Sequence, residues 1–342
     1  MTPSGPVPVA LSAALPAPFA SISGRAGALA IYHDGEAAGG ATPLLLLHSV
    51  NGSASAAEVR PLFLHSRTRR PTYALDLPGY GHSERSARPY TIRLMTDAVH
   101  EALHFAAARH GGAAVDVMAL SLSCEFAAEA VLQQPGRVRT LTLISPTGME
   151  DRRVGERHEA GKTREAAWLR RLLRQTRAGR GLYRLLTTEP SVRWFLARSW
   201  GTRDFDPRLL EHGLRCATLP GAENAPLDFV AGALFTAGVI ERYRALPVPL
   251  WVAHGKQGAF TDFGACPERC GTAATGGTYP VERTVFESGA MPHFQLPDDF
   301  NAAYERFISG QRLPAPQARR PRDGRPASMV GRLGVEPSTN GL

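Results

Sequence analysis

The sequence predicts an α/β protein, a mostly parallel central sheet flanked by helices with a helical segment inserted into it. Three observations predict this. Short apolar, strand-like runs alternate with helical patterns, the mark of parallel strands joined by crossover helices. Several runs show no polar alternation and so read as strands buried on both faces. One interval of about 100 residues, between Ser145 and Val248, breaks the rhythm and is too long for a simple crossover.

In chain order the expected strands are TPLLLLH (42–48), PTYALD (71–76), AVDVMAL (114–120), RTLTLIS (139–145), VPLWVAH (248–254) and ERTVFE (282–287). Helical patterns fall at 56–66, 93–109, 124–134 and 227–246, and a last helix at 300–309 closes the fold. Within the long interval, TREAAWLRRLLRQTRAGRGLYRLL sets Trp168, Leu169, Leu172 and Leu173 on one face, with Arg170, Arg171, Arg174 and Arg177 mostly on the other. Such an amphipathic helix is expected to pack its apolar face on the main domain as a cap. The expected organisation is an N-terminal extension (1–22), a first core part (23–148), a helical cap (149–225), a second core part (226–310) and a tail (311–342). The tail lacks periodicity, is rich in Pro, Gly and Arg, and is predicted to be disordered.

Composition narrows the function classes. The four cysteines, Cys124, Cys216, Cys266 and Cys270, are too few for a disulfide scaffold and have no zinc-ligand spacing, so a reducing, cytoplasmic setting without metal is expected. No apolar run reaches the roughly 18–20 residues that span a bilayer, and no membrane partner is expected. The apolar N-terminus has no Lys or Arg before Arg25 and is broken by prolines, unlike a secretory signal. The formal charge is +8, with 13 Arg/Lys against 5 Asp/Glu in residues 151–200. No nucleic-acid-reading motif accompanies this charge, which reads as solvated basic faces around a protein acting on a small molecule.

The segment VDVMALSLSCEFAAEA (115–130) carries the candidate nucleophile. A strand that turns sharply into a helix exposes the turn residue above the sheet edge, and the residues two before and two after it must be small because the backbones nearly touch. Ser121 meets this condition through Ala119 and Ser123. Ser123 does not, since Glu125 and Phe126 follow it.

These residues resemble the α/β-hydrolase superfamily, whose G-x-S-x-G elbow stands here as Ala119-Leu120-Ser121-Leu122-Ser123. Two further segments are similar to it. LLLLHSVNGSASAAEVRPLF (44–63) resembles the H-G-x oxyanion segment, with Ser49 at the usual glycine and His48 read as structural. ALDLPGYGHSERSARPYTIRLMTDAV (74–99) resembles the D-x-P-G-x-G-x-S segment of capped members, with Asp76 read as a loop-fixing carboxylate. The resemblance implies oxyanion donors at the backbone amides of Val50 and Leu122. A serine, rather than an aspartate, at the elbow implies acyl chemistry or C–C hydrolysis without a cofactor.

The base and acid stand in shifted registers. In FESGAMPHFQLPDDFNAAYERF (286–307) the family's G-H-x-P-x-x-E-x-P wording aligns its histidine with Ala290, so His293, three residues later, is the expected base. In AHGKQGAFTDF (253–263) the usual acid position holds Gly258, and Asp262 is the expected acid; Glu150 or Asp151, after the 139–145 strand, is the alternative. The leading expectation is a serine hydrolase acting on a small, largely apolar substrate. A non-catalytic ligand- or partner-binding protein of the same fold, or an acyltransferase, is the alternative.

Overall fold

A computed structural model describes residues 11–35, 41–149, 163–257 and 281–310. Eight strands form one sheet: β1 Phe19–Gly24, β2 Gly27–Asp34, β3 Leu44–Leu47, β4 Thr72–Leu75, β5 Val115–Leu120, β6 Val138–Ile144, β7 Leu250–Gly255 and β8 Val281–Phe286. Their order is β1-β2-β4-β3-β5-β6-β7-β8. β1, β2 and β4 pair antiparallel, and every pairing from β4 through β3 to β8 is parallel. The six runs read as strands are therefore strands, and the sheet is the expected mostly parallel one.

Strands buried along nearly their whole length, β3 to β7, supply both cores. Leu45 and Leu47 of β3, Val117 and Ala119 of β5 and Leu141 and Leu143 of β6 face one core. It is closed by α2 (Ile92–Arg109) and α3 (Ser123–Gln133). Leu44, Leu46, Met118, Leu120 and Trp251 face the other, closed by α1 (Arg60–Ser66) and a C-terminal helix at Pro297–Gly310. There Trp251 lies against Phe300 at 5.1 Å between ring centroids. Each fully buried large side chain of this kind stabilises the fold by about 1.5–3 kcal/mol relative to exposure. One charged group lies inside the sheet: Asp116 of β5 accepts from Arg70 at 2.6 Å, Arg139 at 2.7 Å and Thr140 at 2.7 Å, which is what allows a buried carboxylate.

Three details depart from the sequence reading. β1 begins at Phe19, inside the stretch expected as an extension, and forms with β2 a hairpin that no apolar run announced. The expected helix at 227–246 is two helices, Asn224–Val230 and Val239–Arg244, separated by Gly232 and Gly238 at φ +80° and +65°. Helix α4 (Ala167–Gln175) is amphipathic as expected, yet only Leu173 of its apolar face is buried; Trp168 is 72 % exposed and Leu172 44 %. After α4 come α5 (Arg177–Leu186), α6 (Glu189–Trp200), α7 (Pro207–Ala217), α8 (Asn224–Val230) and α9 (Val239–Arg244). A short turn, α10 (Pro292–Gln295), precedes the final helix, α11 (Pro297–Gly310). Asp262, Glu150, Asp151, Cys266, Cys270 and the tail 311–342 lie outside the described residues.

Candidate active site

Ser121 follows β5 with φ +56°, a left-handed conformation that a residue with a side chain adopts at a cost of order 1–3 kcal/mol. Its amide is held by the Ile144 carbonyl of β6 at 2.8 Å and its carbonyl by the Cys124 amide at 3.1 Å, so the backbone on both sides fixes the strained turn. Ala119 and Ser123 are wholly buried where strand and helix meet. The Ser123 side chain makes use of its slot, since its hydroxyl donates to the His48 carbonyl. Ser121 and Ser123 thus divide the work: one hydroxyl stands at the turn, the other ties the turn to the loop after β3.

That loop is held from within. The His48 ring accepts from the Leu77 amide at Nε2, 3.0 Å, and donates from Nδ1 to the Ser49 carbonyl at 2.6 Å. Both ring nitrogens are spent on backbone, as the structural reading of His48 anticipated. The buried Glu58 carboxylate accepts from the Ser49 amide at 2.8 Å and from Asn51 Nδ2 at 2.7 Å, clamping residues 49–51. The amides of Val50 and Leu122, one in this loop and one just past Ser121, donate no hydrogen bond among the described residues. Buried amides are almost always paired, so these two unengaged ones, on segments that the Ser123–His48 bond joins, are available to an anion.

Asp76 anchors the next loop. Its carboxylate accepts from the Ala56 amide at 2.8 Å and the His82 amide at 2.9 Å. Burial alone would raise its pKa, but the bonds from His82 and the neighbouring His48 hold it below the ordinary carboxylate value. Gly81, at φ +49°, is required here because a Cβ would lie 2.1 Å from the Asp76 carboxyl carbon.

His293 is wholly buried in α10, its ring against Phe294 at 5.1 Å and Phe300 at 5.9 Å. Nε2 donates to the Glu58 carbonyl at 2.9 Å, and Nδ1 has no partner among the described residues. Burial pushes its pKa down to about 4, the Glu58 carbonyl opposing only part of this, so the ring is neutral at neutral pH. Ala290, in the family's histidine register, accepts from the Ser145 hydroxyl at 2.8 Å and donates its amide to Ser199 of α6 at 2.7 Å. Ser145 is the second non-glycine residue at positive φ, +45°, and ends β6 beside the elbow.

Sequence reasoning missed Glu125. One helical turn past Ser121, its buried carboxylate accepts from the Thr147 hydroxyl and from the Thr236 amide at 2.6 Å. Burial raises its pKa to about 7 despite those bonds. Thr147 lies just after β6 and Thr236 on the chain's way back to β7, so this one side chain fastens both ends of the inserted segment to the elbow helix. The signal was a lone acid within an alanine-rich buried helix face. Beside residues 51–53 of the clamped loop opens a cavity of about 340 Å³, walled by α5, α6 and α8 through Tyr183, Val192, Phe195 and Leu227 and lined by no charged side chain.

The model of the alpha/beta hydrolase fold family matches residues 42–211. With the sheet order, this gives the chain the α/β-hydrolase fold. Among solved structures, a probable hydrolytic enzyme from Pseudomonas aeruginosa PAO1 superposes with TM-score 0.64 at 19% identity, over 87% of this chain and 96% of that one. The enol-lactonase from Burkholderia xenovorans LB400 gives 0.62 at 18%, over 85% and 100%. A carboxylesterase from Bacillus subtilis gives 0.62 at 18%, over 86% and 93%. At these identities the likeness is one of fold. No curated protein matches the chain at a significant level.

Proposed function

We propose that this protein is a cofactor-free serine hydrolase that cleaves an ester or related acyl or C–C bond of a small, largely apolar substrate. The observation that carries the reading is Ser121 at φ +56°, followed by the unengaged Leu122 amide, in a turn that Ser123 ties to the loop carrying the unengaged Val50 amide. In this mechanism the Ser121 oxygen attacks the carbonyl carbon, and the negative charge formed on the carbonyl oxygen faces the two amides. Each such donor is worth on the order of 3 kcal/mol in the transition state. The serine proton passes to His293 and then to the leaving group; water repeats the cycle to release the acid. With Nε2 bound to the Glu58 carbonyl, Nδ1 is the nitrogen left to accept that proton, and a backbone carbonyl fixes the tautomer. Asp262 is the proposed acid.

The cavity walled by the cap and lined without charge supports an apolar, uncharged substrate group. An acyltransferase would use the same acyl-enzyme, and added alcohols competing with water for the acyl group would identify it. The binding-protein reading is favoured by a different observation, the full burial of His293 and the commitment of its Nε2 to Glu58. Burst kinetics with p-nitrophenyl butyrate decide between them: one acyl group per chain supports the enzyme, and no burst and no turnover support the binder.

A further inference from the structure

The cap presents an outer surface of unusual composition. Among the described residues, six large apolar side chains of the cap helices and of the adjoining α8 are exposed: Trp168 and Leu172 on α4, Leu185 and Leu186 on α5, Trp194 on α6 and Val230 on α8. Three of them, Leu186, Trp194 and Val230, also line the mostly apolar 340 Å³ cavity, so the exposed apolar surface and the cavity share side chains. Helices α4–α6 carry eight arginines and a single acid, Glu189, which Arg193 occupies at 2.8 Å. Arg170 and Arg174 are turned to Asp228 beneath. The remaining five, Arg171, Arg177, Arg180, Arg184 and Arg198, are exposed and make no ion pair among the described residues. Arg198 lies over the Trp194 ring at 5.5 Å.

Exposed indoles and leucines interleaved with unpaired arginines on short amphipathic helices are what binds the interface of an anionic bilayer, where the apolar groups enter the headgroup region and the guanidinium groups meet phosphate. We propose that the outer face of α4–α6 docks on an anionic phospholipid surface and that the cavity takes up an acyl chain from it. An acidic protein would satisfy the arginines but would leave unexplained why the apolar rim continues into a cavity beside the clamped loop. A bilayer accounts for both. Among the described residues no helix is long and apolar enough to cross a membrane, and docking on a surface needs no such helix. Docking stands independently of the hydrolase reading, whereas delivery of the chain to Ser121 rests on it.

The test is co-sedimentation of the full chain with vesicles of phosphatidylcholine alone and of phosphatidylcholine with phosphatidylglycerol in equal parts. Binding is expected to the mixed vesicles, with a blue shift of tryptophan emission, and to be lost at high salt. Replacing Arg177, Arg180 and Arg184 together by Gln should weaken it about a hundredfold, near fivefold for each arginine. Trp194→Ser should weaken it with unchanged circular dichroism, and Ser121→Ala should leave it intact. Equal binding to both vesicles, or none to either, overturns the docking surface. So does a dimer in sedimentation velocity that Trp194→Ser abolishes without any vesicle binding, which assigns the face to a second copy. Vesicle binding without esterase turnover removes the hydrolase reading and keeps the docking; turnover without vesicle binding does the reverse.

Discussion

The hydroxyl of Ser123 donates to the carbonyl of His48, joining the helix that starts at the elbow to the loop that carries Val50. The two amides available to an oxyanion come from these two segments, which this bond ties together. Replacing Ser123 by Ala leaves a buried carbonyl short of its donor, at a cost of about 1–3 kcal/mol in unfolding free energy. The burst of acyl-enzyme should survive, because Ser121 is untouched. Loss of the burst in Ser123→Ala with retention in Ser121→Ala would reverse the assignment of the nucleophile.

Glu125 gives stability an opposite pH dependence to that of an ordinary carboxylate. Its pKa stands at about 7 in the fold against 4.5 for an ordinary glutamate, so the folded state holds the extra proton between those values. Its contribution is full below about 4.5 and is lost as pH rises to about 7, an effect on the order of 3 kcal/mol. Glu125→Gln keeps a neutral acceptor for the Thr236 amide and removes the titration. Chemical denaturation across this range should show the variant gaining on wild type as pH rises; parallel curves would show that Glu125 does not titrate there.

His293 acts in the other direction. Its folded pKa of about 4 lies below the ordinary 6.5, so the unfolded chain takes up the proton first. Stability is full above about 6.5 and falls as pH drops to about 4, again by an amount on the order of 3 kcal/mol. His293→Gln should lose this acid sensitivity. The same shift changes the expected rate profile: an ordinary histidine base gives an acid limb near 6 to 8, whereas His293 places it at about 4. If His293 is the base, His293→Gln cuts turnover by several orders of magnitude with the fold intact. A limb near 7 that Glu125→Gln abolishes would assign the titration to Glu125 instead.

Deleting residues 313–342 should leave the melting temperature and any esterase activity almost unchanged, since that segment has no apolar periodicity with which to dock. A melting temperature lowered by more than a few degrees would show that Val330, Leu333 and Val335 pack on the body.

Five of the six parallel-sheet strands, β3 to β7, were legible as short, mostly apolar runs, a pattern set by burial on two faces; β8 is an edge strand and only partly buried. The β1–β2 hairpin was not, because β1 lies at the sheet edge and its burial is low and irregular. The strained turn at Ser121 was legible from the small residues around it, a local steric demand. Glu125, Ser145 and the Glu58 clamp were not, because their partners Thr236, Ala290 and Ser49 are brought to them by the fold and by no sequence spacing. The outward apolar face of α4 was misread for a related reason: periodicity shows that a helix has two faces, and only packing shows which of them is covered.

The central claim is that the Ser121 hydroxyl is a nucleophile poised by its strained turn and the two amides beside it. The most direct measurement is labelling of the intact protein with a fluorophosphonate, read by mass spectrometry of the modified peptide. One adduct per chain is expected, on Ser121, formed by wild type and Ser123→Ala and absent from Ser121→Ala. A folded wild type that stays unlabelled, or an adduct on any other residue that persists in Ser121→Ala, would contradict it.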